Sequence, residues 1–260
     1  MCKECGCGEA LHHHHHHDDD EGHTHTHVRP DGTVYTHSHD SGESHAHAVP
    51  LEQAILAEND RAAAENRAFF RRNGIRAFNL ISSPGSGKTS LLVKTLERLN
   101  AEQIPVAVIV GDQYGEIDAD RMRTTGVPVT QIQVHDSCHL TAAQIAAVME
   151  TAVPEGTKIL FIENVGNLVC PTAFDLGENE KIALLSTPEG EEKPLKYPGL
   201  FTLAKLVLLT KCDLAEALDW NRALCRGNVR TTNPDARIIE VSAKTGAGMD
   251  QWIDYLKESI

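Results

Sequence analysis

Apolar residues in the second half of the first hundred positions and beyond gather into short runs, with amphipathic stretches between them. Runs at Ala77–Ile81, Val106–Val110, Val129–Val134, Ile159–Ile162, Leu206–Leu209 and Ile238–Val241 predict strands. Helix-like segments lie between them, such as Ser90–Leu99 and Thr141–Thr151. Strand–helix alternation implies an α/β fold, a mostly parallel sheet flanked by helices on both faces. Ligands are then expected at the carboxyl ends of the strands. Upstream, Leu51, Ile55, Ala62, Ala63, Phe69 and Phe70 are spaced as in a helix, and Gly74 ends it. Residues 48–76 are therefore a helical lead-in packed on the domain of residues 77–260. Residues 1–47 hold few aliphatic side chains and show neither a period of 2 nor one of 3.6. That extension is expected to be disordered without a ligand, because it cannot offset chain entropy by burial.

Composition changes little for the main domain. The chain has 260 residues, 41% hydrophobic and 23% charged, enough for one generous domain with an appendage. No run approaches the length of a membrane span, and the first residues are polar, so neither a transmembrane protein nor a secretory precursor is expected. A net charge of -13 argues against general nucleic-acid binding. Seven cysteines without a disulfide-like framework point to a reducing cytoplasm.

The extension is where composition matters. Thirteen of the 15 histidines lie between His12 and His47, and residues 1–50 carry nine acidic but only two basic side chains. The head contains Cys2, Cys5 and Cys7 in a C-x-x-C-G-C cluster. Its short loops let several thiolates reach one soft or borderline ion, zinc, nickel or copper, with the terminal amine as a further donor. His12, His13, His14, His15, His16 and His17 form an unbroken run. His23, His25, His27, His37, His39, His45 and His47 follow in H-x-H spacing. A purification tag would account for the run of six but not for the later seven. Neutral imidazoles beside Asp18, Asp19, Asp20 and Glu21 suit loose metal buffering at many sites.

The first predicted strand runs into Ser82-Ser-Pro-Gly-Ser-Gly-Lys-Thr89, a phosphate loop with Ser82 in place of the usual first glycine. Gly85, Ser86 and Gly87 would aim backbone N–H groups at phosphate, and Ser90 continues into the helix whose positive end faces the anion. Lys88 would contact the β- and γ-phosphates and Thr89 would ligate Mg²⁺. After the second strand, Asp112 is placed to approach Mg²⁺ directly or through water, or to cap a helix; Asp118 and Asp120 follow. Glu163-Asn-Val-Gly166 looks like the D-x-x-G segment of GTPases. Glu163 would hold Mg²⁺ or its water, and the Gly166 N–H would sense the γ-phosphate. Thr210-Lys-Cys-Asp213 resembles N-K-x-D, with Thr210 where the motif has Asn. Asp213 would accept from guanine and Lys211 would pack on the base. Ser242, Ala243 and Lys244 match the S-A-K base loop. Together, in order and each after a strand, these segments favour GTP over ATP.

Cys138, His139 and Cys170 are soft or borderline ligands at the same end of the predicted sheet and form a candidate second metal site. His135 and Asp136 are nearby spare donors; Cys212 and Cys225 read as structural. The chain resembles the HypB family of GTPases that help insert nickel into nickel–iron hydrogenase. The resemblance covers nearly the whole chain and rests on the C-x-x-C-G-C head, the histidine-rich insert, Asn79–Thr89, Gly111-Asp-Gln113, Cys138-His-Leu140 and Glu163-Asn-Val-Gly-Asn-Leu-Val-Cys-Pro171. It implies a P-loop GTPase fold, Mg²⁺-dependent hydrolysis of GTP to GDP and phosphate, and a GTP-driven homodimer. It also implies Cys138, His139 and Cys170 as nickel or zinc ligands. The partners implied are a HypA-type metallochaperone, the hydrogenase large-subunit precursor and, in some organisms, a nickel-binding prolyl isomerase. Rival readings are a urease-type nickel-insertion GTPase, and a nickel or zinc storage protein with a vestigial nucleotide site. No arginine finger or water-positioning glutamine is evident from the sequence, so slow intrinsic turnover is expected.

Overall fold

The computed structural model describes residues 23–28, 34–39, 48–258 and 260. Cys2, Cys5, Cys7, His12 to His17, His45 and His47 lie outside the described residues. Within the extension, β1 (His23–Val28) and β2 (Val34–His39) pair antiparallel, with His23 opposite His39 and His25 opposite His37. The expectation that no period of 2 occurs there does not hold at these segments. The His-Thr alternation is itself a period of 2, and Thr, Val and Tyr favour extended backbone. A lone two-stranded hairpin is at best marginal in water, so this pairing does not supply a core.

The chain continues through α1 (Ala48–Arg72), β3 (Arg76–Ser82), α2 (Lys88–Ala101), β4 (Val106–Asp112), α3 (Ile117–Arg123) and β5 (Val129–Gln133). Next come α4 (Ala142–Ala152), β6 (Ile159–Glu163), the single turn α5 (Cys170–Ala173) and β7 (Glu180–Ser186). Then follow α6 (Lys193–Lys196), α7 (Pro198–Leu203), β8 (Leu206–Thr210), α8 (Arg222–Thr232), β9 (Arg237–Glu240) and α9 (Met249–Lys257). Strands β3 to β9 form one seven-stranded parallel sheet in the order β5-β4-β6-β3-β7-β8-β9. Among the described residues, no helix is long and apolar enough to cross a membrane.

Both faces of the sheet are covered, which is why its strands read as unbroken apolar runs. Alternate residues of one strand serve different cores. Phe78 and Leu80 join α2, α3 and α9 on one face, where Trp252 is fully buried and its Nε1 donates to Thr95 Oγ1 at 2.8 Å. Ala77 faces the other way, toward Phe70 of α1 and Ile145 and Met149 of α4. Beyond it, α7 and α8 cover β7, β8 and β9. Helix α4 starts on a capping box: Thr141 and Gln144 exchange side-chain and backbone hydrogen bonds.

Strand β7 has no counterpart among the predicted strands, yet it sits beside β3 in the middle of the sheet. Only one helical turn precedes it, so the strand–helix alternation that flags the other strands is missing there. Its signal was the short run Ile182–Leu185, which on its own does not distinguish strand from buried helix.

The lead-in helix α1 docks through amides as well as apolar side chains. Buried Asn59 donates from Nδ2 to the Asp175 carbonyl at 2.7 Å and accepts at Oδ1 from the Ala142 N–H at 2.9 Å. Asn66 donates to the Ala142 and Leu176 carbonyls at 2.8 and 3.0 Å. Arg67 donates to both Asp175 oxygens at 2.7 and 2.6 Å, and this pairing holds the Asp175 carboxyl below the usual carboxylate range against its burial. Gly177 closes the same interface with φ +87°, where an added Cβ would lie 2.6 Å from the Ala63 carbonyl and 2.8 Å from the Arg67 nitrogen. Gly177→Ala should therefore destabilise the protein. Left-handed backbone strain of about 1–2 kcal/mol adds to overpacking of about 1–3 kcal/mol. A fall in the urea midpoint checks it; an unchanged midpoint would mean that α1 yields freely.

Candidate functional site

Strands β3, β4 and β6 end at one place. The parallel register sets Glu163 beside Leu80 on one side and beside Val110 on the other, so the loops after all three strands meet. Gly85 and Gly87 take φ of +73° and +92°, and α2 begins at Lys88. A cleft of about 520 Å³ opens there. It is lined by the phosphate-loop residues Gly85, Ser86, Gly87, Lys88, Thr89 and Ser90, and by Asp112, Glu163 and Gly166.

Ser82, in the position of the usual glycine, is fully buried, and its hydroxyl accepts from Lys88 Nζ at 3.0 Å and from Ser86 Oγ at 2.6 Å. The substitution thus supplies a hydroxyl that holds the lysine at the mouth of the loop. Burial pushes the Lys88 amine below the ordinary lysine range, opposed chiefly by Glu163. Burial likewise pushes Glu163 up to about 7, opposed by Lys88 and by the Thr89 hydroxyl. Thr89 Oγ1 donates to Glu163 Oε1 at 2.8 Å, while the buried Glu163 Oε2 has no hydrogen-bond partner. An orphaned carboxylate oxygen and a hydroxyl, on two residues that line the cleft, are a donor set suited to a hard, oxygen-seeking cation such as Mg²⁺. Gly166 packs so closely on Pro84 that a Cβ would meet its Cγ at 3.0 Å, which brings the Glu163–Gly166 loop against the phosphate loop.

The residues after β8 and β9 line an adjoining cavity of about 310 Å³, with Lys211, Asp213, Ser242, Ala243 and Lys244 on its walls beside Ser86 and Gly87. Thr210 replaces the amide of the usual motif with a hydroxyl that donates to the Ser86 carbonyl at 2.6 Å. Lys211 Nζ donates to the Gly85 carbonyl at 2.7 Å, so two side chains tie the base loop to the phosphate loop. Ser242 Oγ donates to Asp213 Oδ1 at 2.6 Å and accepts from the Lys244 and Thr245 N–H groups. Lys211 lines both cavities and marks their junction.

One charged residue of the cleft was not singled out from the sequence. Arg121 of α3 lines the first cavity, and its Nη2 donates to Ser90 Oγ at 3.1 Å. Its helical register with Asp118, also on the cavity wall, was the available signal. Asp120 instead pairs with Arg123 at 2.6 Å and is not among the lining residues.

Cys138, His139 and Cys170 come together at the same edge, each offering one ligand atom within 4.8 Å of the others. His135 and Asp136 are outside that group. Cys170 was expected on a loop and stands at the start of α5. His139 is 2% exposed and stacks on Phe174 with ring centroids 3.8 Å apart. Two thiols and an imidazole are a borderline-to-soft set that fits nickel or zinc with room for a further ligand. Cys225 is fully buried in the core, its thiol pushed up to about 12 by burial, as a structural cysteine should be.

The model of the CobW/HypB/UreG nucleotide-binding domain matches residues 76–240. The chain belongs to the HypB branch of that family. It is 51% identical over 209 residues to the hydrogenase maturation factor HypB of Azotobacter chroococcum mcd 1, covering 80% of this chain and 68% of that one. It is 49% identical over 207 residues to the HypB of Escherichia coli (strain K12), covering 80% and 71%. Among solved structures, the HypB of Helicobacter pylori in complex with nickel superposes with a TM-score of 0.73 at 35% identity, over 77% of this chain and 94% of that one. The HypB of Archaeoglobus fulgidus does so with a TM-score of 0.72 at 38% identity, over 78% and 98%.

Proposed function

We propose that the protein is a GTP-hydrolysing metallochaperone that stores nickel and delivers it during hydrogenase maturation. The observation that carries this reading is the meeting of two chemistries at one end of the sheet. A phosphate cleft opens there, and Cys138, His139 and Cys170 cluster at the same end. The relatives named hydrogenase maturation factor, and the neighbour crystallised with nickel, support the choice of metal and pathway.

In this reading Asp213 accepts from the N–H groups of guanine, and Lys211 covers the base. Lys88 and the N-terminal end of α2 hold the phosphates. Thr89 and Glu163, with Asp112, would hold Mg²⁺, which neutralises charge on the triphosphate. Positioning and charge compensation carry the hydrolysis. The Gly166 N–H reports the γ-phosphate, and the GTP-bound form dimerises. The head cysteines capture nickel and the histidines buffer it. A HypA-type protein and the hydrogenase precursor are the partners, in the cytoplasm.

The test uses the full chain, measuring GTP turnover with and without Ni²⁺ and the number of ions bound. A storage protein with a vestigial nucleotide site would bind metal without turnover. Cys170→Ala should lower the Ni²⁺ count by the one ion assigned to this cluster while GTP affinity without metal stays within about twofold. An unchanged count would leave the cluster a structural feature.

A further inference from the structure

Between the nucleotide cleft and the Cys138–His139–Cys170 cluster stands Leu140, which follows His139 directly. Two of the segments assigned to the nucleotide act on it. From one side, the Leu140 N–H donates to Asn164 Oδ1 at 3.2 Å, and Asn164 is the residue after Glu163. From the other, Gly111, the residue before Asp112, is packed against the Leu140 side chain. A Cβ on Gly111 would lie 2.6 to 2.9 Å from the Leu140 Cγ, Cδ1 and Cδ2. Leu140 is fully buried and Asn164 is 1% exposed, so neither contact can be exchanged for water.

Asn164 also reaches the other side of the cluster. Its Nδ2 donates to Asn79 Oδ1 at 3.2 Å, and Asn79 Nδ2 donates to Glu178 Oε1 at 3.1 Å. Glu178 Oε2 accepts from the Leu176 N–H at 2.6 Å, and Lys181, paired with Glu178 at 3.2 Å, donates to the Phe174 carbonyl at 2.7 Å. Phe174 carries the ring on which His139 stacks. A buried chain of polar groups with each member paired is rigid, since any break leaves an unsatisfied group in the interior. A displacement of the Glu163–Gly166 loop therefore cannot be absorbed at Asn164 without moving Leu140, or breaking a bond.

We propose that Asn164 is a positioning residue that links the nucleotide state of the Glu163–Gly166 loop to the geometry of His139, through Leu140 and the Phe174 shelf. The inference rests on the metal and nucleotide sites proposed above. It adds the route between them: when the loop and Asp112 rearrange around a γ-phosphate, Asn164 and Gly111 shift Leu140, and His139 turns relative to Cys138 and Cys170. Linkage makes the effect reciprocal, so a metal bound at the cluster changes the preference between the two nucleotide states by the same factor.

The experiment uses the full chain and reads one quantity, the factor by which Ni²⁺ changes the ratio of GDP affinity to affinity for a non-hydrolysable GTP analogue. A uniform loss of nucleotide affinity cancels in that ratio, and so does metal bound in the extension if it ignores the nucleotide. Wild type is expected to give a factor in the range of about 5 to 150, and Cys170→Ala a factor near 1. Asn164→Ala is expected to bring the factor near 1 while Ni²⁺ is still bound at the wild-type count. Asn164→Asp keeps the acceptor for the Leu140 N–H but loses the donor to Asn79, so it should recover only the part of the factor carried through Leu140. Gly111→Ala keeps every hydrogen-bonding group but displaces Leu140, and should change the factor several-fold; it also serves if Asn164→Ala does not fold. A wild-type factor near 1 would overturn the inference; a factor that Cys170→Ala leaves intact would overturn the assignment of the metal to this cluster and the inference with it. A normal wild-type factor that survives in Asn164→Ala, or in Gly111→Ala where that variant stands in, would overturn the inference alone.

Discussion

Lys88→Ala should bring GTP hydrolysis below detection and weaken GTP binding by about 2–5 kcal/mol, roughly 1.5 to 3.5 decades in affinity. The amine is buried at the mouth of the phosphate loop, held by the Ser82 hydroxyl, and its charge is stabilised chiefly by Glu163. Removing it leaves a triphosphate in a cleft whose walls include Asp112, Asp118 and Glu163, with Arg121 and Lys211 as the remaining lining cations. The fold itself should persist. Burial already disfavours the charged lysine, so its loss ends a desolvation cost, and the Ser82 hydroxyl keeps Ser86 as a partner. Single-turnover kinetics and isothermal titration check the first part, and circular dichroism the second. Unchanged turnover would move the catalytic site elsewhere.

Asp213→Asn should relax base choice. Its carboxylate stands in the cavity beside the phosphate loop, oriented by the Ser242 hydroxyl at 2.6 Å. Asn offers one acceptor and one donor where guanine needs two acceptors, while xanthine presents a carbonyl in place of the amino group. Sites built around such hydrogen bonds discriminate by about 10⁴–10⁵, so the GTP-to-XTP preference should fall by on the order of 10³ or more. Thr210 does not stand in the way, because its hydroxyl is committed to the Ser86 carbonyl rather than to the base. Competition binding decides the point; GTP still ranked far above XTP would mean that another loop reads the base.

Local chemistry made much of the nucleotide cleft legible beforehand. A phosphate loop needs particular residues in consecutive positions, and those positions also specify the strand-to-helix turn that presents them. The same is true of the segments ending in Asp112, Gly166, Asp213 and Lys244, each of which follows an apolar run. Arg121 was harder to find, because an arginine in a short helix is ordinary and only the path of α3 past Ser90 gives it a neighbour. The alternation at residues 23–28 and 34–39 is a period of 2, but its repeating residues are histidines rather than apolar side chains, so it carries no hydrophobic strand signal.

What the sequence by itself determined was therefore the set of local parts: parallel strands buried on both faces, a phosphate loop, base-reading segments, and a head rich in metal ligands. The tertiary structure decided how they are joined. Strand β7 enters the centre of the sheet because its neighbours β3 and β8 both leave an edge there, which no short run of residues encodes. Cys170 meets Cys138 and His139 because the order β5-β4-β6 brings the loops after β5 and β6 to one edge, across 32 residues of chain from Cys138 to Cys170. The amides of Asn59, Asn66, Asn79 and Asn164 look like solvated polar residues when read in a row. They become a bracket and a relay only because packing removes them from water, and each must then find its partners inside the protein.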